Sequence, residues 1–457
     1  MGKAVVKNVG VNLARLVVAL TFIFSGYVKA IDPIGTQYKI GDYLVALGLM
    51  DLLPDYVTLA ASVLLSAVEF SLGVFLLFAI RRRFVSRLML LFMVIMTIVT
   101  VWIAFANPVK DCGCFGDAVK LTNWQTLGKN VILLLCISIV VKWPRAMVRF
   151  IGKTNQWIAI NFTVIYSFAT SIYCLYTLPV FDFRPYHVGA NLLKEMEIPE
   201  GAPQPEFKTT FIMKKNGQTK EFSLEDYPDS TWTFVDSKTV QTKAGYEPPI
   251  HDFSMENPLT GEDLTDQILS SAGYTFLLVA PHLEQADDSN FGDINQIYDY
   301  AKQYGYQFYC LTASNKKAIA FWQDITGAEY PYLFTDDTTL KTIIRSNPGL
   351  LLLKSGVVIQ KWSHNALPRL DETTPQLDKL PEGHLPETTF GHKIAYTLAW
   401  FFLPLLLLSL ADRTWAWTQW LKKRRTESLK KYKALRKYSP FAGMESKEQA
   451  GDSEEGK

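Results

Sequence analysis

An apolar stretch at residues 88–109, LMLLFMVIMTIVTVWIAFANPV, is followed almost at once by the loop DCGCFGD at residues 111–117. The stretch has no charged side chain. It is long enough to cross a bilayer, because about 20 apolar residues in a helix span a hydrocarbon core about 30 Å thick. A membrane span that runs into a CxC pair predicts two cysteines at a membrane surface.

Five further stretches have the length and composition of membrane spans. The six candidates are residues 11–31, 57–80, 88–109, 125–143, 157–180 and 394–410. Short connections join the first four, which predicts antiparallel neighbours in a bundle. The first span lacks a convincing cleavage site, so we expect an uncleaved signal anchor. The sequence predicts a membrane α-helical bundle with a four-helix core and six spans in total.

Basic residues cluster at alternate ends of these spans. The clusters are Lys3 and Lys7; Arg81, Arg82, Arg83 and Arg87; Lys142, Arg145, Arg149 and Lys153; and Lys422, Lys423, Arg424 and Arg425. Because Lys and Arg in short loops stay on the cytoplasmic side, both termini are expected there. The loops at 31–57 and 110–124 and the block at about 181–392 are then extracytoplasmic.

Composition separates membrane-embedded from soluble parts. Of the 457 residues 49% are hydrophobic, and they concentrate before residue 181 and after residue 393. The formal net charge of +2 gives no basic character of the kind that nucleic acid attracts. The predicted domains are a four-span domain at 1–150, a fifth span at 151–180, a β-rich segment at 181–247, an α/β domain at 248–390, a sixth span at 391–412 and a basic tail at 413–457.

The soluble block contains two patterns of strands. Residues 207–213 and 219–222 flank an Asn-Gly pair, which predicts a hairpin. From residue 248 onward strands alternate with helices and end in a second hairpin. The predicted strands are 274–280, 307–311, 349–354 and 357–362, and the predicted helices are 293–304, 316–325 and 338–345. This alternation favours an extracytoplasmic α/β fold.

The order of these elements resembles the thioredoxin fold over about residues 248–368. Pro348, just before the closing hairpin, stands where that family has a cis-proline. The CxxC of the family is missing, because residues 280–285 read APHLEQ at that place. Cys310 lies within a predicted buried strand, where a cysteine serves as a small apolar side chain. The resemblance therefore implies a domain that binds a protein client without exchanging thiols.

The pair Cys112 and Cys114 is the candidate catalytic site. Two cysteines separated by one residue can close a small disulfide ring whose geometry departs from the relaxed one, and strain raises a reduction potential. Gly113 lacks a Cβ and can take the backbone angles that such a ring needs. A static structural disulfide and a metal site remain open as alternatives, although two thiolates alone make a poor zinc site.

Residues 9–143 resemble the DoxX-like membrane proteins, and most closely their methylamine-utilisation MauE branch. The residues that carry the resemblance are Arg15, Ser25-Gly26-Tyr27-Val28-Lys29, Glu69, Gly73, Cys112-Gly113-Cys114-Phe115-Gly116 and Lys129-Asn130. It implies a four-helix bundle in a bacterial inner membrane and a role in disulfide formation during periplasmic protein maturation, beside a thioredoxin-like partner. Related membrane thiol oxidases pass electrons to a quinone, so a quinone is implied by analogy only.

Two ionisable residues are expected to support the site from within the bundle, together with Phe115 and Gly116 of the loop. Glu69 is twelve residues into the second span, about 18 Å down, which places it near the midplane. Lys29 is near the outer end of the first span, from where it can reach inward to pair with Glu69 or can extend to the membrane interface instead. A bridge that fixes helix register and a proton or quinone-headgroup role are equally compatible with this pair.

Two classes of function follow from these features. The first is an enzyme, a membrane thiol oxidoreductase that takes electrons from client thiols through the CxC pair. The second is a non-catalytic assembly or scaffold factor, in which the pair is a loop staple and the thioredoxin-like domain binds a partner protein. A transporter ranks last, because the chain shows no repeated halves or paired broken helices.

Overall fold

The computed structural model describes residues 2–49, 53–109, 111–203, 206–215, 218–223, 232–243 and 245–437. The chain divides into two compact units. The first comprises residues 1–171 and 388–457, and the second comprises residues 172–387.

The first unit is helical. Its described helices are α1 (Gly2–Ile31), α2 (Pro33–Ala46), α3 (Asp55–Leu77), α4 (Arg82–Ala106), α5 (Asn123–Lys142), α6 (Gln156–Tyr176, whose end lies in the second unit) and α12 (Phe390–Lys437), which follows the second unit in the chain. By length and composition, six helices of the described residues could cross a membrane, namely all of these except α2. Large apolar side chains are exposed along one side of α4, at Leu91, Ile95 and Ile98, and imply contact with lipid.

Helix α2 corrects the prediction that residues 31–57 form a loop. Asp32 caps this helix by accepting a hydrogen bond from the Gly35 amide at 2.8 Å, and Pro33 occupies its first position. Both features favour a helix start, since Asp is a strong N-cap and Pro has no amide to leave unpaired. The helix is too short and too polar to read as a span.

The packed core contains six helices, which corrects the predicted four-helix core. The ring of Phe401 in α12 lies 5.0 Å from Phe70 in α3 and 4.7 Å from Tyr166 in α6. These aromatic side chains belong to a buried cluster that joins α6 and α12 to the earlier helices. The long stretch of chain between α6 and α12 hides this adjacency in the sequence.

Helices α1 and α3 approach each other at two glycines. A Cβ on Gly26 would lie 2.3 Å from the backbone nitrogen of Phe70, and a Cβ on Gly73 would lie 2.7 Å from that of Ile23. Glycine is therefore required at both positions, as at other close contacts of membrane helices. The contact brings the side chains at positions 29 and 69 together.

The second unit contains a three-stranded antiparallel sheet. Its strands β1 (Glu206–Lys215), β2 (Gln218–Ser223) and β3 (Thr233–Lys243) lie in the order β2-β1-β3. Lys215 pairs with Gln218, so the strands of the predicted hairpin are present. The predicted turn at residues 216 and 217 lies outside the described residues.

The second unit also contains a five-stranded sheet. Its strands β4 (Tyr274–Val279), β5 (Gln307–Thr312), β6 (Tyr332–Phe334), β7 (Gly349–Lys354) and β8 (Val357–Ser363) lie in the order β6-β5-β4-β7-β8. The first three run parallel, and β7 and β8 run antiparallel to their neighbours. The helices of this unit are α7 (Leu192–Met196), α8 (Thr265–Leu269), α9 (Phe291–Tyr304), α10 (Lys316–Thr326) and α11 (Asp337–Ile343).

Strand β4 is buried on both faces of this sheet. Phe276 and Leu278 belong to one apolar cluster, and Leu277 and Val279 belong to the other. Successive side chains of a strand point to opposite faces, so a strand between two cores is apolar throughout. Burial on both faces therefore explains why the sequence of β4 is a continuous apolar run.

Candidate functional site

The two cysteines of the CxC pair lie in the connection between α4 and α5. Their Sγ atoms are 2.9 Å apart, and both residues are free thiols with about 9% of their surface exposed. Gly113 has φ +64° and Gly116 has φ +52°, a left-handed conformation that favours glycine. The two glycines of the motif allow the loop to bring both sulfurs to one point.

Hydrogen bonds hold this loop in place. The carboxylate of Asp111 accepts from the Gly113 amide at 2.9 Å, and the Gly116 amide donates to the Gly113 carbonyl at 3.0 Å. On the bundle side, Ser25 of α1 donates its hydroxyl to the carbonyl of Cys114 at 2.5 Å. The backbone of the CxC pair is thus anchored directly to the first membrane helix.

Helix α2 covers the other side of the loop. The hydroxyl of Tyr43 donates to the Cys112 carbonyl at 2.7 Å, and Lys39 forms an ion pair with Asp111 at 3.2 Å. The Lys39 side chain also lies against Gly113, where a Cβ would be 3.0 Å from its Cγ. Sequence reasoning missed Lys39 and Tyr43, although the Asp-Pro helix start at residues 32 and 33 indicates the helix that carries them.

The predicted pair of Lys29 and Glu69 is confirmed as an ion pair. The Nζ atom of Lys29 lies 2.6 Å from Oε2 of Glu69, and both side chains are buried. Lys29 also donates to the hydroxyl of Ser25 at 3.1 Å. A continuous chain of hydrogen bonds therefore connects Glu69 to the carbonyl of Cys114.

A small cavity adjoins Cys114 at the centre of this arrangement. Its volume is about 20 Å³, and its polar lining includes Ser25, Lys29, Glu69, Lys129 and Asn130. That volume has room for about one water molecule. A quinone ring does not fit in a cavity of this size.

Phe115 lies beside the pair and contacts two other residues of the bundle. Its ring centroid is 5.4 Å from that of Phe24 in α1, and Nζ of Lys129 in α5 lies 4.3 Å from it. The second distance is within the range of a cation–π contact. Phe115, which was predicted to support the site, thus connects the CxC loop to the ammonium of Lys129. In the sequence, Lys129 stood out only as one of the residues that carry the family resemblance.

The two thiols have opposite pKa shifts. Hydrogen bonding from Cys112, followed by the positive charges of Lys129 and Lys29, lowers the pKa of Cys114 to about 6. The same hydrogen bond, with burial, raises the pKa of the Cys112 thiol. These directions favour a thiolate at Cys114 and a protonated thiol at Cys112 when the pair is reduced.

Pro348, His282 and Cys310 are held within the second unit by its own backbone, side-chain contacts and core. The peptide bond between Asn347 and Pro348 is cis. His282 lies with Nε2 3.0 Å from the Asp337 carboxylate, and its carbonyl accepts from the Asn347 side chain at 2.9 Å. Cys310 is fully buried in β5, and burial raises the pKa of its thiol.

These features define a multi-pass membrane protein with an additional sheet-containing unit. Residues 7–143 match the family model described as methylamine utilisation protein MauE, a range that begins within α1, ends just after α5 and includes the CxC loop. Residues 207–244, which include the three-stranded sheet, match a model described as a domain of unknown function (DUF8463). No curated protein matches the chain.

Proposed function

We propose that this protein is a membrane thiol–disulfide exchange protein that acts in the maturation of extracytoplasmic proteins through Cys112 and Cys114. The observation that carries the proposal is the contact between the two sulfurs, 2.9 Å apart, with one thiol of lowered pKa. A low-pKa thiol next to a second thiol is the arrangement of a redox-active pair, because the thiolate is both a nucleophile and a good leaving group.

The exchange follows from the two pKa shifts. When the pair is a disulfide, a client thiolate attacks Sγ of Cys112, and the bond to Cys114 breaks because Cys114 leaves as the more stable thiolate. A second client thiolate then attacks the client sulfur of the mixed disulfide and releases Cys112, which takes up a proton. Two electrons pass from the client dithiol to the pair, and the client gains a disulfide.

A second dithiol–disulfide couple would restore the pair by the same exchange in reverse. A thioredoxin-like partner in the oxidising compartment is the class of protein that fits this step. The four basic clusters support the proposed topology, with both termini cytoplasmic and the second unit periplasmic in a bacterial inner membrane. The resemblance of the first spans to DoxX-like proteins supports the same location.

For the five-stranded part of the second unit we propose a thioredoxin-like fold that binds the client. The strand order β6-β5-β4-β7-β8 and the cis bond before Pro348 support this relationship. The segment after β4 has no cysteine at residues 280–285, and Cys310 is fully buried. Binding without thiol exchange is the role that this combination supports.

Thiol trapping in cells tests the exchange. The redox state of Cys112 and Cys114 is measured in the full-length protein, with and without an external oxidant and after addition of a dithiol. We expect the pair to shift between thiol and disulfide forms as these reagents change. A pair that stays oxidised and does not respond to the dithiol rules the proposal out.

A non-catalytic assembly factor is the second candidate. The cover that α2 forms over the loop favours it, since Cys112 and Cys114 are each only about 9% exposed. A double Cys112→Ser, Cys114→Ser variant that retains full cellular activity would support this second function over the first.

A further inference from the structure

We infer that Lys129, held over the ring of Phe115, is the positioning residue that stabilises the thiolate of Cys114. A role of Lys129 in catalysis rests on the proposed thiol exchange. The contacts that place Lys129 beside Cys114 are present whether or not the pair exchanges thiols. The inference adds a member to the site that neither the CxC spacing nor the Lys29–Glu69 pair indicates.

Geometry gives Lys129 a fixed place beside the pair. Its ammonium lies 4.3 Å from the ring centroid of Phe115, the residue that directly follows Cys114. Phe24 fixes that ring from the other side, with centroids 5.4 Å apart. Lys129 and Cys114 both line the cavity of about 20 Å³. A short loop, an aromatic ring and a helix thus hold one cation next to one sulfur.

Lys129 differs from the other lysines near Cys114 because those lysines are paired with carboxylates. Lys29 is neutralised by Glu69 at 2.6 Å. Lys39 of α2 pairs with Asp111 at 3.2 Å. Two further titratable neighbours are Cys112, whose Sγ atom is 2.9 Å from that of Cys114, and Tyr43, whose hydroxyl donates to the Cys112 carbonyl. Among the residues that the structure describes, no carboxylate lies within ion-pair distance of Lys129.

An unpaired cation has a direct chemical consequence at this place. Burial disfavours a thiolate, and a nearby positive charge offsets that cost. A cation already balanced by a carboxylate contributes less net field than an unbalanced one. Of the two lysines, Lys129 lowers the pKa of Cys114 more, and Glu69 raises it.

The rate of alkylation of Cys114 as a function of pH tests this inference. Reduced full-length protein in detergent micelles is treated with iodoacetamide, and the tryptic peptide that contains both cysteines is followed by fragmentation mass spectrometry, which separates Cys112 from Cys114. This peptide is residues 111–120, or residues 111–129 where Lys120 is replaced. The midpoint of the pH profile reports the thiolate pKa and is independent of how slowly the reagent enters.

The variants separate charge from structure. In Lys129→Met we expect the midpoint for Cys114 to rise by about one unit, which lowers the thiolate fraction below the midpoint about tenfold. Lys129→Arg keeps the charge and the contact with the ring, so its midpoint stays near that of the wild type. Lys120→Met removes one exposed lysine from the same loop and leaves the midpoint unchanged.

If Lys129→Met folds, either of two outcomes overturns the inference. One is an unchanged midpoint in Lys129→Met, and the other is an equal shift in Lys120→Met. If Lys129→Met does not fold, Phe115→Leu is measured in its place. Loss of the ring removes the contact that holds the Lys129 ammonium, so we expect a smaller rise of the Cys114 midpoint. An unchanged midpoint in Phe115→Leu also overturns the inference. The test needs no client, so a pair that never exchanges thiols in cells would refute the proposed function and leave this result standing.

Discussion

Lys29 and Glu69 form an ion pair of 2.6 Å between two helices whose backbones touch at glycines. Ser25 continues this pair to the carbonyl of Cys114. The CxC pair in the loop after α4 is thus connected by hydrogen bonds to a charged pair inside the bundle. Any change that separates α1 from α3 is expected to reach the cysteines through this chain.

Breaking the ion pair should destabilise the bundle strongly. Glu69→Gln leaves the ammonium of Lys29 buried without a counter-charge, and such a loss typically costs about 3–5 kcal/mol. Thermal unfolding in detergent micelles should show a lowered midpoint. The exposed Asp42→Asn is the control, and it should behave as the wild type.

The double variant Lys29→Met, Glu69→Leu decides what the pair is for. It removes both charges, so most of the lost stability should return. If the double variant also exchanges thiols at the wild-type rate, the pair fixes helix register. If it is stable but slow in exchange, the pair acts in proton transfer.

The contact of α1 with α3 gives a second prediction. Gly26→Ala places a methyl group 2.3 Å from the nitrogen of Phe70, so the helices must separate. Overpacking of this kind costs about 1–3 kcal/mol. The control is Gly128→Ala in α5, where the added methyl meets nothing within 4 Å. The control should be neutral or more stable in the same unfolding assay; equal destabilisation in both variants would contradict the close contact.

Sequence and structure agree best where one physical cause acts alone. Long apolar runs predict the spans because bilayer thickness sets their length, and strand β7 is found at residues 349–354 as predicted. The CxC pair and the Lys29–Glu69 pair follow from chemistry that is visible in the sequence. The packing of α12 against α3 and α6 could not be predicted, because side-chain contacts between distant segments leave no pattern within either one.

The cover that α2 forms over the CxC loop is an instructive case. Its capping residues Asp32 and Pro33 are readable in the sequence, but its amphipathic pattern is weak, and the long gap between two spans favoured a loop. The contacts of Lys39 and Tyr43 with the CxC loop depend on where α2 lies. A helix start can be read locally, whereas its docking site cannot.

Loosening this cover should expose the cysteines. Tyr43→Phe removes the hydrogen bond to the Cys112 carbonyl, and Lys39→Ala removes the ion pair with Asp111. We expect the double variant to be alkylated several-fold faster at Cys114 when each protein is compared above its own pH midpoint, where the thiolate is fully formed. Val45→Ala, at an exposed position of α2, is the control. An unchanged rate in the double variant would show that α2 does not limit access.

A buried charge cluster in the second unit predicts a pH dependence of stability. Lys361 of β8 is buried and contacts the Asp182 carboxylate at 2.7 Å, and Arg184 contacts the same carboxylate at 2.7 Å. Burial, which outweighs the attraction of Asp182, lowers the pKa of Lys361 to about 8. The charges of Lys361 and Arg184 outweigh burial for Asp182 and hold the pKa of that carboxyl well below its usual range.

The two shifts act in opposite directions and in separate pH windows. Above pH 8 the unfolded chain keeps its proton on Lys361 while the folded chain loses it, so this residue makes stability rise with pH up to about 10.5, by at most roughly 3 kcal/mol. Asp182 stabilises the fold above its ordinary pKa near 4, and this contribution is lost as the pH falls further. Urea unfolding of the full chain at pH 7, 8, 9 and 10 measures the first effect. Lys361→Met should lose the rise that this residue contributes, so its stability should fall behind that of the wild type from pH 8 to pH 10, while the exposed control Lys379→Met should keep the wild-type profile. A Lys361→Met profile parallel to that of the wild type would assign the rise to other groups.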